Sequence, residues 1–376
     1  MNWESGSDSV LQGSYEEEEG NGVKRFIVVF AVAAVVISTT VGGAFANTER
    51  TAQGSADLCF LLPDPKSSVR WETQDRPAFV AAAKKAKVSY VIFNADNDAQ
   101  KQRSQADQCL ANGAKVVILV SLDFGSSLAI ERAAKAKNAK VIEYDRQVVG
   151  GIGNIYISFE GKQVGVLQGR GVVAGLKANG KYDDNPVVAR LNGGPTDNNS
   201  YLFKSGYDSI LNPLFKNGTF EAGPSQFVPG WDNQRARTIF EQMLVRTGNK
   251  IDAVAAANDG LANAVVSALK AKKLDPIPLS GQDATELGVQ NIISGWQTMT
   301  VWKDTRLLAS EAVRASVALM AGKKPRTTGT VPNKGKRTPA YIYPPVSITK
   351  KNYKILFNGY LKRSNVCRGE YRKFCK

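Results

Sequence analysis

Histidine is absent from this 376-residue chain. Its absence removes Ser-His-Asp and Cys-His nucleophiles, His-ligated zinc and His general bases. Asp, Glu and Lys can still move protons, so an enzyme is disfavoured but not excluded. No Gly-x-Gly-x-x-Gly stands between an expected strand and helix, and no Walker lysine follows a glycine loop, so nucleotide binding has no support. GGIGN at 150–154 and the LNGGPT segment are glycine-rich without fitting either pattern. Long apolar runs are also missing. FIVVFAVAAVVI at 26–37 is 12 residues, short of the roughly 20 that span a bilayer.

That apolar run follows acidic, low-complexity sequence and Lys24-Arg25, and it leads through small residues to Ala44-Phe45-Ala46. The order is that of a secretory signal peptide with a long acidic leader. Counting on to Ala46 gives 21 residues of low polarity, so an uncleaved anchor over 26–46 stands as the alternative. Export changes the meaning of the four cysteines, because an even number outside the cytoplasm suggests two disulfides. Cys367 and Cys375 lie close together in a charged tail. Cys59 and Cys109 then pair by elimination, one in the first expected strand and one in the second expected helix. In a sheet ordered 2-1-3 the crossover from strand 2 to strand 3 passes over strand 1. Two buried free thiols are the competing reading.

The net charge is +15. Without residues 1–46 there are 47 basic and 28 acidic residues, a net +19. The bases are scattered along helices and the last 55 residues, with no helix-turn-helix or aromatic-basic motif. They read as a solvated cationic surface facing an anionic envelope, not as a nucleic-acid face.

From about residue 56 short apolar runs alternate with helical stretches, in two series. The first is LCFLLP, a helix near 72–86, VSYVIF, 98–112, KVVILV, 126–138 and KVIEY. The second is 160–178, VVARL, 199–215, a strand near 225–228, 232–246, IDAVAAA, 260–272, IPLS and 284–294. Such alternation means parallel sheets with helices on both faces, and the chain is long enough for two cores. The segment 148–159 reads as a crossover. The strand at 298–303 and the helix at 304–321 would return to the first lobe, and a third crossing lies near 340–345. The expected lobes are therefore 56–153 with 300–338, and 154–299 with 339–358. A basic, cysteine-bearing tail occupies 359–376.

Five polar motifs end apolar runs: Asp145-Arg146, Asp197-Asn198-Asn199, Asn258-Asp259, Gln282-Asp283 and Lys303. Ligands of open α/β sheets bind outside the carboxyl ends of the strands, so these side chains converge on one crevice. Carboxylates accept, guanidinium donates and amides do both, which suits a polyhydroxylated ligand. An Asp ending a strand is also a common helix N-cap, and Asp197 can serve that way. Trp231 can be a core aromatic, Arg70 a surface residue and Lys303 the partner of a hinge carboxylate.

Longer stretches carry a resemblance. SVRWETQD, VIEYDRQ, IYISFEGKQVGVLQG, NGGPTDNNSYLFKSGYDSIL, GWDN, NKIDAVAAANDG, LSGQDATELGVQNIISGWQTMTVWKD and PPVSITKKN, across roughly 56–356, resemble bacterial periplasmic sugar-binding proteins of the type I fold. Within them the xylose-binding proteins are most similar. The resemblance implies two doubly wound α/β lobes joined by three crossovers. Those lobes close on one pyranose, and a transporter or sensor reads the closed form. It implies a ligand set of Arg70, Trp71, Asp145, Arg146, Asp197, Asn199, Trp231, Asn258, Asp283 and Lys303, with no catalytic residue, metal or cofactor. Trp71 and Trp231 would offer flat faces to the ring. The first strand ends in Pro-Asp-Pro-Lys, a departure that leaves Asp64 and Lys66 without a carried-over role. The implied protein is an exported monomer delivering D-xylose to the permease of an ABC importer. The alternative is a membrane-anchored sensor presenting the sugar to a kinase or chemoreceptor. A glycoside hydrolase built on Asp145 and Asp283 would need two carboxylates flanking a scissile bond. Here they stand among Arg, Lys and Asn. A sugar-responsive transcription regulator shares the fold, but an export signal occupies the place of its DNA-binding helices.

Overall fold

The computed structural model describes residues 56–65 and 67–375. The leader and its expected cleavage site lie outside the described residues, as does Lys66. Among the described residues no helix is long and apolar enough to cross a membrane.

The chain runs β1 (Leu58–Leu62), a π-helical turn at Trp71–Asp75, α1 (Arg76–Ala86), β2 (Tyr90–Asn94), α2 (Ala99–Ala111), β3 (Val116–Leu119), α3 (Phe124–Ala136), β4 (Lys140–Tyr144) and β5 (Ile155–Phe159). It continues with α4 (Gly161–Ala178), β6 (Val187–Asn192), α5 (Asn198–Lys216), β7 (Glu221–Phe227), α6 (Asn233–Arg246), β8 (Ala253–Ala256), α7 (Asp259–Ala271) and α8 (Glu286–Ser294). Last come β9 (Met299–Trp302), α9 (Thr305–Met320), β10 (Gly329–Asn333), β11 (Lys336–Tyr343), β12 (Val346–Thr349) and α10 (Arg363–Val366).

Two sheets organise these elements. The first has the order β10-β11-β5-β4-β3-β1-β2 and is parallel except at β10. Within it β1 (LCFLL) and β3 (VVIL) are apolar throughout and buried on both faces, because helices cover both sides. The second sheet has β7-β6-β8. Leu279 extends it by a parallel bridge to Val254. The Val301 N–H donates to the Gly281 carbonyl at 3.1 Å, which brings in β9, and β12 pairs antiparallel with β9. Each sheet has its own buried cluster, Phe60, Phe79 and Tyr144 in one and Phe203, Phe240 and Met243 in the other. The alternation predicted two such parallel-sheet lobes, and together they form the type I periplasmic binding protein fold that the resemblance implied.

The lobe boundaries differ from the expected ones. Ile155–Phe159 does not open the second lobe; it pairs with β4 in the first sheet. Met299–Trp302 does not return to the first lobe; it pairs with β12 in the second. Lys336–Tyr343 still belongs to the first sheet. The crossings therefore fall at Glu160, at Lys303-Asp304 and at Pro344-Pro345. A short, wholly apolar strand looks the same in either sheet, and only its backbone partners decide membership.

Cys59 and Cys109 are joined, tying β1 to α2, and Cys367 is joined to Cys375. The C-terminal segment is packed structure, not a loose tail. Tyr360, Leu361 and Val366 are buried against Val289 and Ile293 of α8. In the second lobe α4 and α5 cross at Gly165 and Gly206. A Cβ on Gly165 would stand 1.9 Å from the Phe203 carbonyl oxygen, so the close approach that positions the start of α5 needs glycine.

Candidate functional site

All ten residues of the expected ligand set line one cavity, together with Ser67, Ser68, Phe203 and Gln282. The free space left between them is small, about 20 Å³. Its walls are nearly sealed: Trp231 is 5% exposed, Asp283 4% and Asn258 3%.

The first lobe builds its side from the π-helical turn and the end of β4. In that turn the Arg76 N–H reaches back five residues to the Trp71 carbonyl, and the same five-residue spacing sets Asp75 beneath Arg70. Arg70 donates Nε to Asp75 Oδ2 at 2.8 Å and Nη2 to Asp75 Oδ1 at 2.9 Å. Such a two-pronged pair fixes the guanidinium, leaving Nη1 to meet Asp145 Oδ2 at 3.0 Å. Burial opposes charge on Arg70, but Asp145 and Asp75 together hold its pKa well above the ordinary value. Burial likewise opposes charge on Asp145, and Arg70, Lys303 and Arg146 overcome it, holding that carboxyl well below the usual range.

Asp145 has a φ of 61°, a left-handed conformation that costs a non-glycine residue energy and recurs at functional sites. Its carbonyl is held there by the Ser158 hydroxyl at 2.8 Å, the Tyr156 hydroxyl at 3.0 Å and Asn199 Nδ2 at 3.0 Å. Trp231 (φ 55°) and Asp283 (φ 99°) are left-handed as well. These three therefore present their side chains from backbone that regular strands and helices do not use.

The second lobe contributes Asp197, Asn199, Trp231, Asn258 and Asp283. Asp197 is indeed an N-cap, accepting from the Asn199 N–H at 2.9 Å. It also pairs with Arg146 across the cleft at 2.8 Å and accepts from Trp231 Nε1 at 3.2 Å. Burial raises its pKa against the pull of Arg146. Asn258 caps α7 through the Leu261 N–H and donates Nδ2 to the Ser67 carbonyl at 3.3 Å. Trp231 belongs to the core cluster and to the cavity wall at once. Its ring lies so close over Gly193 that a Cβ there would stand 2.1 Å from it. Lys303 stands at the second crossing and reaches Asp145 at 3.1 Å and Asp283 at 3.8 Å.

Trp71 differs from its expected role. The Arg70 guanidinium lies 4.2 Å from its ring centroid and that of Arg146 5.4 Å, so cations take ring surface that was expected to stack on a sugar. Asp64 turns inward to the Ser67 N–H and hydroxyl and does not line the cavity. Phe203 was missed, although it lies four residues beyond Asn199 on one face of α5. Ser67 and Ser68 gave no signal in sequence. Ser68 donates to Asp283 Oδ2 at 2.7 Å, one of the polar links between the two lobes.

Four lining atoms are buried without a hydrogen-bond partner: Trp71 Nε1, Asn199 Oδ1, Gln282 Oε1 and Asp283 Oδ1. Buried polar groups are normally paired, so one donor and three acceptors facing a small cavity mark a place for a hydroxyl-bearing ligand. Among the described residues no group of three or more His, Cys, Asp or Glu is arranged to hold a metal.

The chain is similar to proteins of known family. The profile of the periplasmic binding protein domain matches residues 60–324. The D-xylose-binding periplasmic protein of Escherichia coli (strain K12) is 32% identical over 300 residues, 79% of this chain and 88% of that protein. A multiple sugar-binding periplasmic receptor of Rhizobium radiobacter is 32% identical over 358 residues, 90% of this chain and 98% of that protein. In structure, an ABC transporter solute binding protein of Clostridium phytofermentans with bound β-D-glucose superposes with a TM-score of 0.77 at 28% identity, covering 82% of this chain and 99% of that one.

Proposed function

The chain belongs to the periplasmic binding protein family, whose members are binding proteins and not enzymes, and from that footing we propose that it captures one monosaccharide between its lobes and delivers it to an ABC importer. The observation that carries this reading is the set of unpaired buried atoms. Trp71 Nε1 awaits an acceptor; Asn199 Oδ1, Gln282 Oε1 and Asp283 Oδ1 await donors. Hydroxyl groups on a small ring supply both. The cavity is small and nearly sealed, which favours a single sugar ring over a longer chain.

D-Xylose is the first candidate. The resemblance in the site motifs and the two D-xylose-binding relatives at 32% identity support it. Eight of the fourteen lining residues then have a task. Asp283, Asn199 and Gln282 accept from ring hydroxyls; Trp71 Nε1, Arg146 and Lys303 donate; Trp231 and Phe203 provide apolar surface. A sugar lacking one hydroxyl would leave one of these groups buried and unpaired, at a cost of about 1–3 kcal/mol, which gives selectivity. Part of the binding energy draws the lobes together. The protein works on the outer side of the cytoplasmic membrane, as its relatives' names state for them, and as a monomer.

Calorimetric titration with D-xylose, L-arabinose, D-ribose, D-glucose and D-galactose tests the proposal. Expected are one site per chain, tightest binding of D-xylose, and a melting temperature that rises with ligand because only the folded state binds. Absence of heat and of thermal shift with all five sugars overturns it. Tighter binding of glucose keeps the site and replaces the ligand.

A further inference from the structure

Charge is not spread evenly over this chain. Residues 321–376 hold fifteen Lys or Arg and one acid, Glu370, and so supply +14 of the chain's +15. More than half of these bases lie in the packed C-terminal segment. Its eight basic residues from Lys350 to Lys373 are all exposed, and among the described residues none of them forms an ion pair. Exposed lysines elsewhere do find carboxylates, Lys115 at Asp57 (2.8 Å) and Lys181 at Asp252 (3.3 Å).

Four of these bases, Lys350, Lys351, Lys354 and Lys373, surround a groove of about 550 Å³ whose remaining lining is Tyr353 and Phe374. No carboxylate lines it. The Lys373 ammonium stands 5.1 Å from the Phe374 ring centroid, and Ile355, next in the chain to Lys354, is 43% exposed. The Cys367–Cys375 bond closes the loop that carries Lys373 and Phe374. Gathering unpaired like charges costs stability through self-repulsion, and folding gives no return for it here.

We propose that this groove and the bases around it dock the protein on the anionic lipid headgroups of a bilayer. The ammonium groups meet headgroup phosphates and the counter-charge relieves their repulsion. The half-buried Phe374 and the exposed Ile355 supply the apolar and aromatic contact that suits the headgroup boundary. A soluble polyanion would need the charges alone. Docking would hold the sugar-loaded protein at the membrane that contains an importer. The inference rests on the groove and not on the sugar site.

The test is co-sedimentation of the full chain with phosphatidylcholine vesicles, with and without phosphatidylglycerol. Any partitioning of the apolar run at 26–37 would be common to both kinds, so the readout is the ratio between them. A lysine near an anionic surface contributes about fivefold to partitioning. The combined Lys350→Gln, Lys351→Gln, Lys354→Gln and Lys373→Gln variant should lose on the order of several hundredfold of the phosphatidylglycerol-dependent binding, with an unchanged melting temperature. Wild-type binding should also collapse between roughly 0.1 M and 1 M salt, where the screening length falls from about 10 to 3 Å. Equal sedimentation with both vesicle types overturns the proposal. So does undiminished binding by the variant, or binding to inorganic polyphosphate without binding to vesicles.

Discussion

Asp145 and Asp283 are the same residue type, the first just past β4 and the second four residues past the Leu279 bridge, and each is in a left-handed backbone conformation. Their surroundings differ. Asp145 meets Arg70, Lys303 and Asn199 with its carboxylate, and three side chains bond its carbonyl. Asp283 accepts from Ser68 at one oxygen, and the other has no hydrogen bond, with Arg70 at 3.5 Å and Lys303 at 3.8 Å. A carboxylate whose positions are filled by protein is part of the scaffold. One with an oxygen to spare is open to a ligand. The pair shows that an acid at the end of a strand takes its role from how many of its lone pairs the fold has already used.

Removing Asp145 should have the largest effect. Asp145→Ala leaves Arg70 and Lys303 buried with a partner lost, and breaking a buried pair costs about 3–5 kcal/mol. Urea unfolding should show that loss without sugar present. A fall under about 1 kcal/mol would place Asp145 with Asp283 instead of against it.

The second test uses pH. Asp259 frames the Asp283 side: its N–H donates to the Gln282 carbonyl, and its carboxylate accepts from Thr285 and Gln297. Burial raises its pKa from 3.8 to about 7 in spite of those bonds. The folded state therefore holds a proton that the unfolded chain has released, and stability falls as pH rises from about 4 to 7, by at most about 1.4 kcal/mol per pH unit. Asp145 acts oppositely. Its pKa is depressed, so its contribution is present above the usual carboxylate range and lost as pH falls. Denaturant midpoints measured from pH 4 to 8 should slope downward, and Asp259→Asn should flatten that slope. An unchanged slope would remove Asp259 as its source.

Asp283→Ala should weaken sugar binding by about 2–3 kcal/mol, since it removes a charge-assisted acceptor, or roughly 30- to 150-fold in affinity. Its effect on stability without ligand should be well below that of Asp145→Ala. If the order of the two stability effects is reversed in urea unfolding, the contrast between the carboxylates fails. Ser68→Ala should have the smallest effect, about 1 kcal/mol in binding, because it frees only the oxygen that protein already occupies. Calorimetry of both variants with the same sugar separates the two oxygens.

The site was legible in sequence because each of its motifs sits where an apolar run stops, and the end of a parallel strand is where a side chain leaves the core. The ten residues therefore met in one cavity although Arg70 and Lys303 are 233 positions apart. Phe203 was within reach through its spacing from Asn199. Asp75 was not, because the five-residue reach that joins it to Arg70 exists only in a π-helical turn, and local sequence does not announce one.

The sequence by itself determined the alternation of strands and helices, the capacity of Asp197 to cap a helix and the chemical character of the cleft. These depend on periodicity, on local hydrogen bonding and on which residue types stand at strand ends. Only the tertiary structure decided which sheet Ile155–Phe159 and Met299–Trp302 join, which ring faces of Trp71 meet cations, and which acid keeps a free oxygen. Each of these depends on partners distant in sequence. Hydrogen-bond capacity is finite and shared, and how it is shared is fixed only when the lobes meet.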